Sequence, residues 1–399
     1  MIAAARILSI LIGLFFMFSG FVKGVDPIGF GYKLDEYFEV FSEQASGIPA
    51  LSAAFLWMKH LSLPLAVVFI VLELVLGWMA IFLIRMPLVL TLMLLLMLFF
   101  TFLTGYAWYT GKVADCGCFG DAIKLTPAQT FYKDIVLTAV LIPLFLVRRR
   151  LQPIFRPTLS NIVLLIGLFG SIYLPVYCLR HLPIIDFRPY KVGTNLREQM
   201  SLPPNAKPTI YKTYLTYRNK QTGEVKEYPS DNFPWNDSVW VATWEFVASR
   251  SELVQQGDQP RITDFHVWDI ERNEVTRQIL DERTGFHFWL VTYDLTKAPK
   301  KAFSRINRLA AECEQQGIPF VALTATPYEQ LEPLRHELQL AFPFYYADAT
   351  VLKTIIRSNP GLVLLQGPVV RAMWHYNDIP DLEKIRKKYF AATAEASMR

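Results

Sequence analysis

The chain has 399 residues, of which 52% are hydrophobic, and a net charge of +5. That length allows roughly two or three domains, and the mild charge, with no lysine-rich tail or aromatic–basic stripe, argues against a nucleic-acid partner. Four cysteines are too few for a disulfide scaffold, and with six scattered histidines they form no zinc pattern.

The hydrophobic residues crowd into the first half and the charges into the second. Residues 7–22 are apolar and run into Lys23. No small-residue cleavage site precedes Lys23, so this segment reads as a retained helix rather than a signal peptide. Residues 61–84 form a second apolar span, and Arg85 separates it from a third over 87–108. The fourth, 127–147, opens on Thr126-Pro127-Ala128-Gln129, where Thr126 can cap, Pro127 can take the first helical position and Gln129 can reach back. The fifth runs over 159–178. Each is long enough to cross a hydrocarbon core of about 30 Å. Residues 24–60 and 110–131 are expected as loops.

Orientation follows from the positive flanks. Arg6, Arg85 and the cluster Arg148, Arg149, Arg150 and Arg156 lie at one side. Lys23, Lys33, Lys59, Lys112, Lys124 and Lys133 lie at the other. The first set sits in very short connections, where the positive-inside rule has its force. The N-terminus is therefore expected in the cytoplasm, and everything after Cys178 outside.

Residues 180–208 carry five prolines and read as a linker on the membrane surface. Residues 211–217 alternate as a strand, and Thr222-Gly223 reads as a turn. The stretch to 259 carries no clear pattern. Residues 262–268 and 274–280 are expected as a hairpin. Then come a buried strand (286–293), a helix (298–316), a strand (319–324), a helix (328–340), a hairpin (361–366 and 369–375) and a helix (381–390). This order implies a mixed sheet covered by helices.

Two resemblances become specific on these residues. Residues 1–150 resemble the DoxX/MauE group of membrane proteins, which are four-helix bundles. The shared features are Ser19-Gly20-Phe21-Val22-Lys23, then Glu73 and Gly77, then Asp115-Cys116-Gly117-Cys118-Phe119-Gly120. The resemblance implies a role in redox processes of the bacterial envelope. MauE is linked to maturation of methylamine dehydrogenase through disulfide formation. Residues 261–390 resemble the thioredoxin fold, with Asn359-Pro360-Gly361 where that fold carries its cis-proline. At the position of the thioredoxin cysteine pair this chain reads Asp294-Leu295-Thr296-Lys297, with no thiol. The whole layout resembles uncharacterised DoxX proteins of Bacteroidetes.

The expected architecture is therefore an α-helical membrane bundle followed by an α/β thioredoxin-like domain. Residues 1–150 make the four-helix bundle and 151–180 a fifth transmembrane helix. A linker and β-rich extension occupy 181–260. The thioredoxin-like domain lacking its cysteines spans 261–390, and a tail spans 391–399.

Chemistry concentrates at two places. Gly117 lets the backbone between Cys116 and Cys118 turn tightly. A disulfide across one intervening residue closes a small ring, which favours strain and easy reduction. The pair reads either as a redox couple or as a structural turn. Glu73 lies mid-span, where a central charge costs about 2.5–3.5 kcal/mol. It needs a partner, and Lys23 is the natural one. That pair reads either as a relay for protons or a quinone ring, or as a device fixing helix register. Cys178 ends the fifth span, where it could meet the Cys116 loop, and Cys313 sits on a helix of the second half.

The functional expectation is a membrane thiol–disulfide oxidoreductase in the bacterial inner membrane. Cys116 and Cys118 cycle, a quinone is a possible cofactor, and the periplasmic domain recognises an envelope client near Asn359 and Pro360. The rival expectation is a non-enzymatic scaffold whose cysteine-free domain binds a protein. A transporter fits less well, because Glu73 stands nearly alone as an intramembrane charge.

Overall fold

A computed structural model describes residues 2–113, 119–120, 122–123, 125–255, 257–280 and 285–390. The first part is helical: α1 (Ile2–Val25), α2 (Pro27–Gln44), α3 (Pro49–Lys59), α4 (Ser62–Ile81), α5 (Met86–Thr110), α6 (Pro127–Val147) and α7 (Pro157–Arg180). Among the described residues, α1, α4, α5, α6 and α7 are long and apolar enough to cross a membrane. The chain is an integral membrane protein. The start of α6 carries the capping box: Thr126 Oγ1 accepts from the Gln129 amide at 3.2 Å, and Gln129 Oε1 accepts from the Thr126 amide at 3.0 Å.

Residues 24–60 depart from the expected loop, because α2 and α3 lie there. Asp26 caps α2, its carboxylate accepting from the Gly29 amide at 2.9 Å, and Pro27 supplies a fixed first turn. Phe30, Leu34, Tyr37 and Phe38 recur at helical spacing and are buried against the bundle. The helix is amphipathic and less apolar than a span, so hydropathy alone hides it.

The bundle closes most tightly where α1 crosses α4. A Cβ on Gly77 would lie 2.8 Å from the Gly13 carbonyl, and one on Gly13 would lie 2.8 Å from the Gly77 carbonyl. Two glycines at this crossing let the backbones touch, which is how helices gain packing energy in lipid. α7 joins through Trp78, whose Nε1 donates to the Val163 carbonyl at 2.8 Å.

After the short α8 (Leu196–Gln199), β1 (Ile210–Asn219), β2 (Val225–Pro229) and β3 (Trp244–Gln255) form an antiparallel sheet in the order β2-β1-β3, with α9 (Ser238–Thr243) before β3. Tyr217, Tyr228, Trp240 and Trp244 cluster on it, while β3 is exposed along nearly its whole length.

The second sheet has six strands. They are β4 (Val267–Trp268), β5 (Phe286–Thr292), β6 (Phe320–Thr324), β7 (Phe344–Ala347), β8 (Gly361–Gln366) and β9 (Val369–His375), in the order β4-β7-β6-β5-β8-β9. β5, β6 and β7 run parallel, and β8, β9 and β4 pair antiparallel. Both faces are covered. The helices are α10 (Thr276–Leu280), α11 (Phe303–Gln315), α12 (Tyr328–Leu338), α13 (Ala349–Ile355) and α14 (Leu382–Ile385). β5 and β6 read as apolar runs for that reason, each being buried on both sides.

Two expectations change here. The hairpin expected over 262–268 and 274–280 is reduced to β4 and one antiparallel bridge, Trp268 to Glu274, after which α10 takes the place of the second strand. β7 and α13 were not read from the sequence. β7 is only four residues long, and its aromatics Phe344, Tyr345 and Tyr346 do not alternate with polar residues.

Candidate functional site

Within the bundle, a set of buried charges gathers between α1, α4, α5 and α6. Lys23 is 3% exposed and Glu73 5%. The Lys23 ammonium lies 2.5 Å from Glu73 Oε2 and 3.0 Å from Ser19 Oγ, between the rings of Phe30 and Phe100 at 5.6 and 5.1 Å. In a low-dielectric interior neither charge would be stable without the other. The structure thus brings these two sequence-selected residues together.

Asp134 extends this cluster. It is buried on α6, accepts from Thr104 Oγ1 on α5 at 3.1 Å, and lies 3.0 Å from the Lys133 ammonium. Sequence reading missed it, because Lys133-Asp134 near a helix start looks like an exposed polar flank. The signal available was its place about two turns inside the capped α6, on its buried face.

Cys116 and Cys118 lie outside the described residues, as do Asp115, Gly117 and Lys124. The next residue in the chain, Phe119, is described and buried. Its ring packs on Phe15 and Phe18 at 5.8 and 5.7 Å, with the Lys133 ammonium 4.8 Å from its centre. Gly120 follows and helps line a cavity of about 80 Å³.

That cavity joins the bundle to the second half of the chain. Lys23 and Asp26 line it from the bundle; Asp186, Arg188 and Arg357 line it from beyond α7. Arg357 Nε donates to Asp26 Oδ1 at 2.9 Å and its second guanidinium nitrogen to Oδ2 at 2.9 Å, a fork geometry suited to a carboxylate. Arg188 is buried and binds Asp186 twice, at 2.8 and 2.7 Å. Burial opposes the charge on Asp26, yet Arg357 and then Arg188 outweigh it and hold the carboxyl below its ordinary range. Two further contacts tie the same regions: His181 Nδ1 meets Asp378 at 2.8 Å, and Asn377 Nδ2 donates to the Arg180 carbonyl at 2.9 Å.

Asn359 and Pro360 are joined by a cis peptide bond just ahead of β8. Asn359 Nδ2 donates to the Asp294 carbonyl at 2.6 Å, and its Oδ1 accepts from Thr292 Oγ1 at 3.2 Å. The loop before β8 therefore holds the loop after β5, where Asp294 caps a short turn and pairs with Lys297 at 2.9 Å. Cys178 and Cys313 are buried free thiols. Burial pushes the Cys313 thiol up to about 12, so it is inert at neutral pH.

With this geometry in view, the comparisons with known proteins divide the chain. Residues 1–147 match the family described as methylamine utilisation protein MauE. This membrane region is MauE-like. Residues 211–256, the three-stranded sheet, match a domain of unknown function (DUF8463). No curated protein and no solved structure matches the chain. The MauE-like match covers the spans α1, α4, α5 and α6, and with them Lys23, Glu73 and Asp134. It stops before α7.

Proposed function

We propose that this chain is an envelope redox protein whose Cys116-Gly117-Cys118 motif exchanges disulfides with a partner protein at the outer face of the bacterial inner membrane. The observation that carries this reading is the seating of Phe119 and Gly120. The two residues that follow the motif are held against α1 and Lys133, and Gly120 borders the cavity that reaches Lys23. The motif joins these seated residues directly in the sequence.

The exchange balances without a cofactor. A partner thiolate attacks the motif disulfide, the motif S–S bond breaks, and a mixed disulfide forms as one motif thiolate leaves. A second partner thiolate then displaces the remaining motif sulfur. The motif is reduced by two electrons, and the partner is oxidised by the same two. Two protons pass from the partner's thiols to the motif's thiolates through water.

The reading takes the N-terminus as cytoplasmic and all residues after α7 as periplasmic. It takes residues 261–390 as a thioredoxin-like domain, supported by the parallel β5, β6 and β7, the antiparallel β8 and β9, and the cis bond at Asn359–Pro360. A scaffold reading draws on a different observation. Arg357, ahead of β8, binds Asp26 of the bundle, and the loop after β5 shares a cleft with the bundle, so this end of the sheet has a structural task.

A trapping experiment separates the two. With Cys118→Ala, Cys116 should accumulate mixed disulfides visible on non-reducing gels. If Cys116 is open to a membrane-impermeant maleimide yet carries no adduct, and C116A/C118A fully restores a deletion strain, the scaffold reading replaces the redox one. A reporter fused after Arg399 that proves cytoplasmic would remove the shared oxidising compartment.

A further inference from the structure

A second and larger cleft, of about 570 Å³, lies between the bundle and the six-stranded sheet. Its sheet wall is made by the segments that leave the carboxyl ends of the three parallel strands. These are Tyr293 and Asp294 after β5, Thr326 after β6, and Lys353 on α13 after β7. In open α/β sheets this is where ligands bind, because the strands end there in loops and helix starts with unused polar groups. Its other wall is the bundle: Tyr32 on α2, and Leu63 at the start of the membrane-crossing α4.

Of the charged groups that line the cleft, Asp35, Asp294, Lys297 and Lys353, the first three are held in ion pairs. Asp294 is paired with Lys297 at 2.9 Å, and Asp35 with Lys59 at 3.7 Å. Lys353 forms no ion pair among the described residues. Its ammonium instead sits between two aromatic faces, 4.7 Å from the centre of Tyr32 and 5.8 Å from that of Tyr293. Such contacts hold a cation in place without neutralising it. Burial keeps the Tyr32 hydroxyl protonated far above neutral pH, with Tyr293 beside it adding to the shift. A fixed, unneutralised ammonium flanked by phenolic hydroxyls has the chemistry of an oxyanion receptor.

We propose that this cleft binds a ligand bearing a phosphate or carboxylate, its anionic oxygens on Lys353 and the Tyr32–Tyr293 pair. The ligand bridges the sheet to the bundle, so binding stabilises the docked arrangement. Two sources supply that chemistry. One is an anionic lipid headgroup, reached from Leu63, which is 39% exposed. The other is a soluble phosphate.

The test uses the full chain in nanodiscs of phosphatidylcholine alone, in nanodiscs with added phosphatidylglycerol, and in detergent with inorganic phosphate. Thermal midpoints and native mass spectrometry of bound lipid are read for each. The wild type should be stabilised by phosphatidylglycerol or by phosphate. Lys353→Gln should weaken that response about tenfold or more in ligand concentration, as loss of a charge-assisted hydrogen bond does. Lys353→Arg should restore it, and Lys384→Gln, at an exposed site elsewhere, should leave it unchanged. Stabilisation by phosphatidylglycerol alone identifies the lipid; stabilisation by phosphate identifies a soluble ligand. Should Lys353→Gln fail to fold, Tyr32→Phe, which keeps the ring and removes the hydroxyl, should still weaken the response. The proposal is overturned if neither ligand stabilises the wild type, or if Lys353→Gln and Tyr32→Phe respond as the wild type does.

Discussion

Two ion pairs, one buried inside the bundle and one partly buried between the bundle and the sheet domain, each join a cation to a carboxylate and were not equally visible. Lys23–Glu73 could be suspected from the sequence, because a carboxylate amid leucines in a membrane span stands out. Asp26–Arg357 could not. Its partners are 331 positions apart, and neither local stretch points to the other. Burial by lipid is written in the local sequence. Burial by another part of the same chain is not.

The comparison predicts unequal costs when the pairs are broken. Removing one partner of the bundle pair, as in Glu73→Leu or Lys23→Met, should destabilise the fold by about 3–5 kcal/mol, because it leaves a charge uncompensated in a dry interior. The double variant K23M/E73L should recover most of that loss in thermal unfolding of the purified protein. A double variant no better than the singles would mean that the pair does more than neutralise itself.

Asp26→Ala should cost less, about 1.5–3 kcal/mol, the range for a hydrogen bond to a charged group, since its side chain keeps some access to water. The loss should appear as faster hydrogen exchange in the segments that line the junction, with the bundle spans unchanged. The same bond has a pH signature. Asp26 titrates below its ordinary range, so its contribution is full above about pH 4 and is lost as pH falls through its lowered value.

His375 acts at milder acidity. Burial lowers its imidazole to about 4, with Asp378 opposing and His181 reinforcing the shift. The unfolded chain therefore takes up a proton that the folded chain refuses. Stability should be complete above the ordinary histidine range and fall by about 1.4 kcal/mol per pH unit between that range and its lowered value. His375→Asn should flatten that slope, and an unchanged slope would exclude His375 as its cause. The smallest effect belongs to the exposed pair Lys300–Glu337. Its removal should shift stability by no more than about 1 kcal/mol, and a larger shift in a double-mutant cycle would contradict the contrast between buried and exposed pairs.

Local pattern carried the sequence reading far in some places. The five spans, the Thr126 capping box, the apolar runs of β5 and β6, and the hairpin of β8 and β9 around Gly367-Pro368 all follow from periodicity, turn chemistry and length. It failed where a short element takes its identity from neighbours. α2 is amphipathic because the bundle covers one of its faces. β7 is a strand because β6 lies beside it, and α10 takes the place of a strand after the single bridge from Trp268 to Glu274.

The sequence by itself determined which stretches enter lipid and which charge there needs a partner, since the free-energy cost of a buried polar group is set residue by residue. Only the tertiary structure decided that Asp134 joins the buried charges, that Arg357 closes on Asp26, and that Lys353 sits between Tyr32 and Tyr293 with no ion pair among the described residues. Those facts depend on distances between residues far apart in the chain. No local periodicity encodes such distances; they appear once the backbone has brought the two halves together.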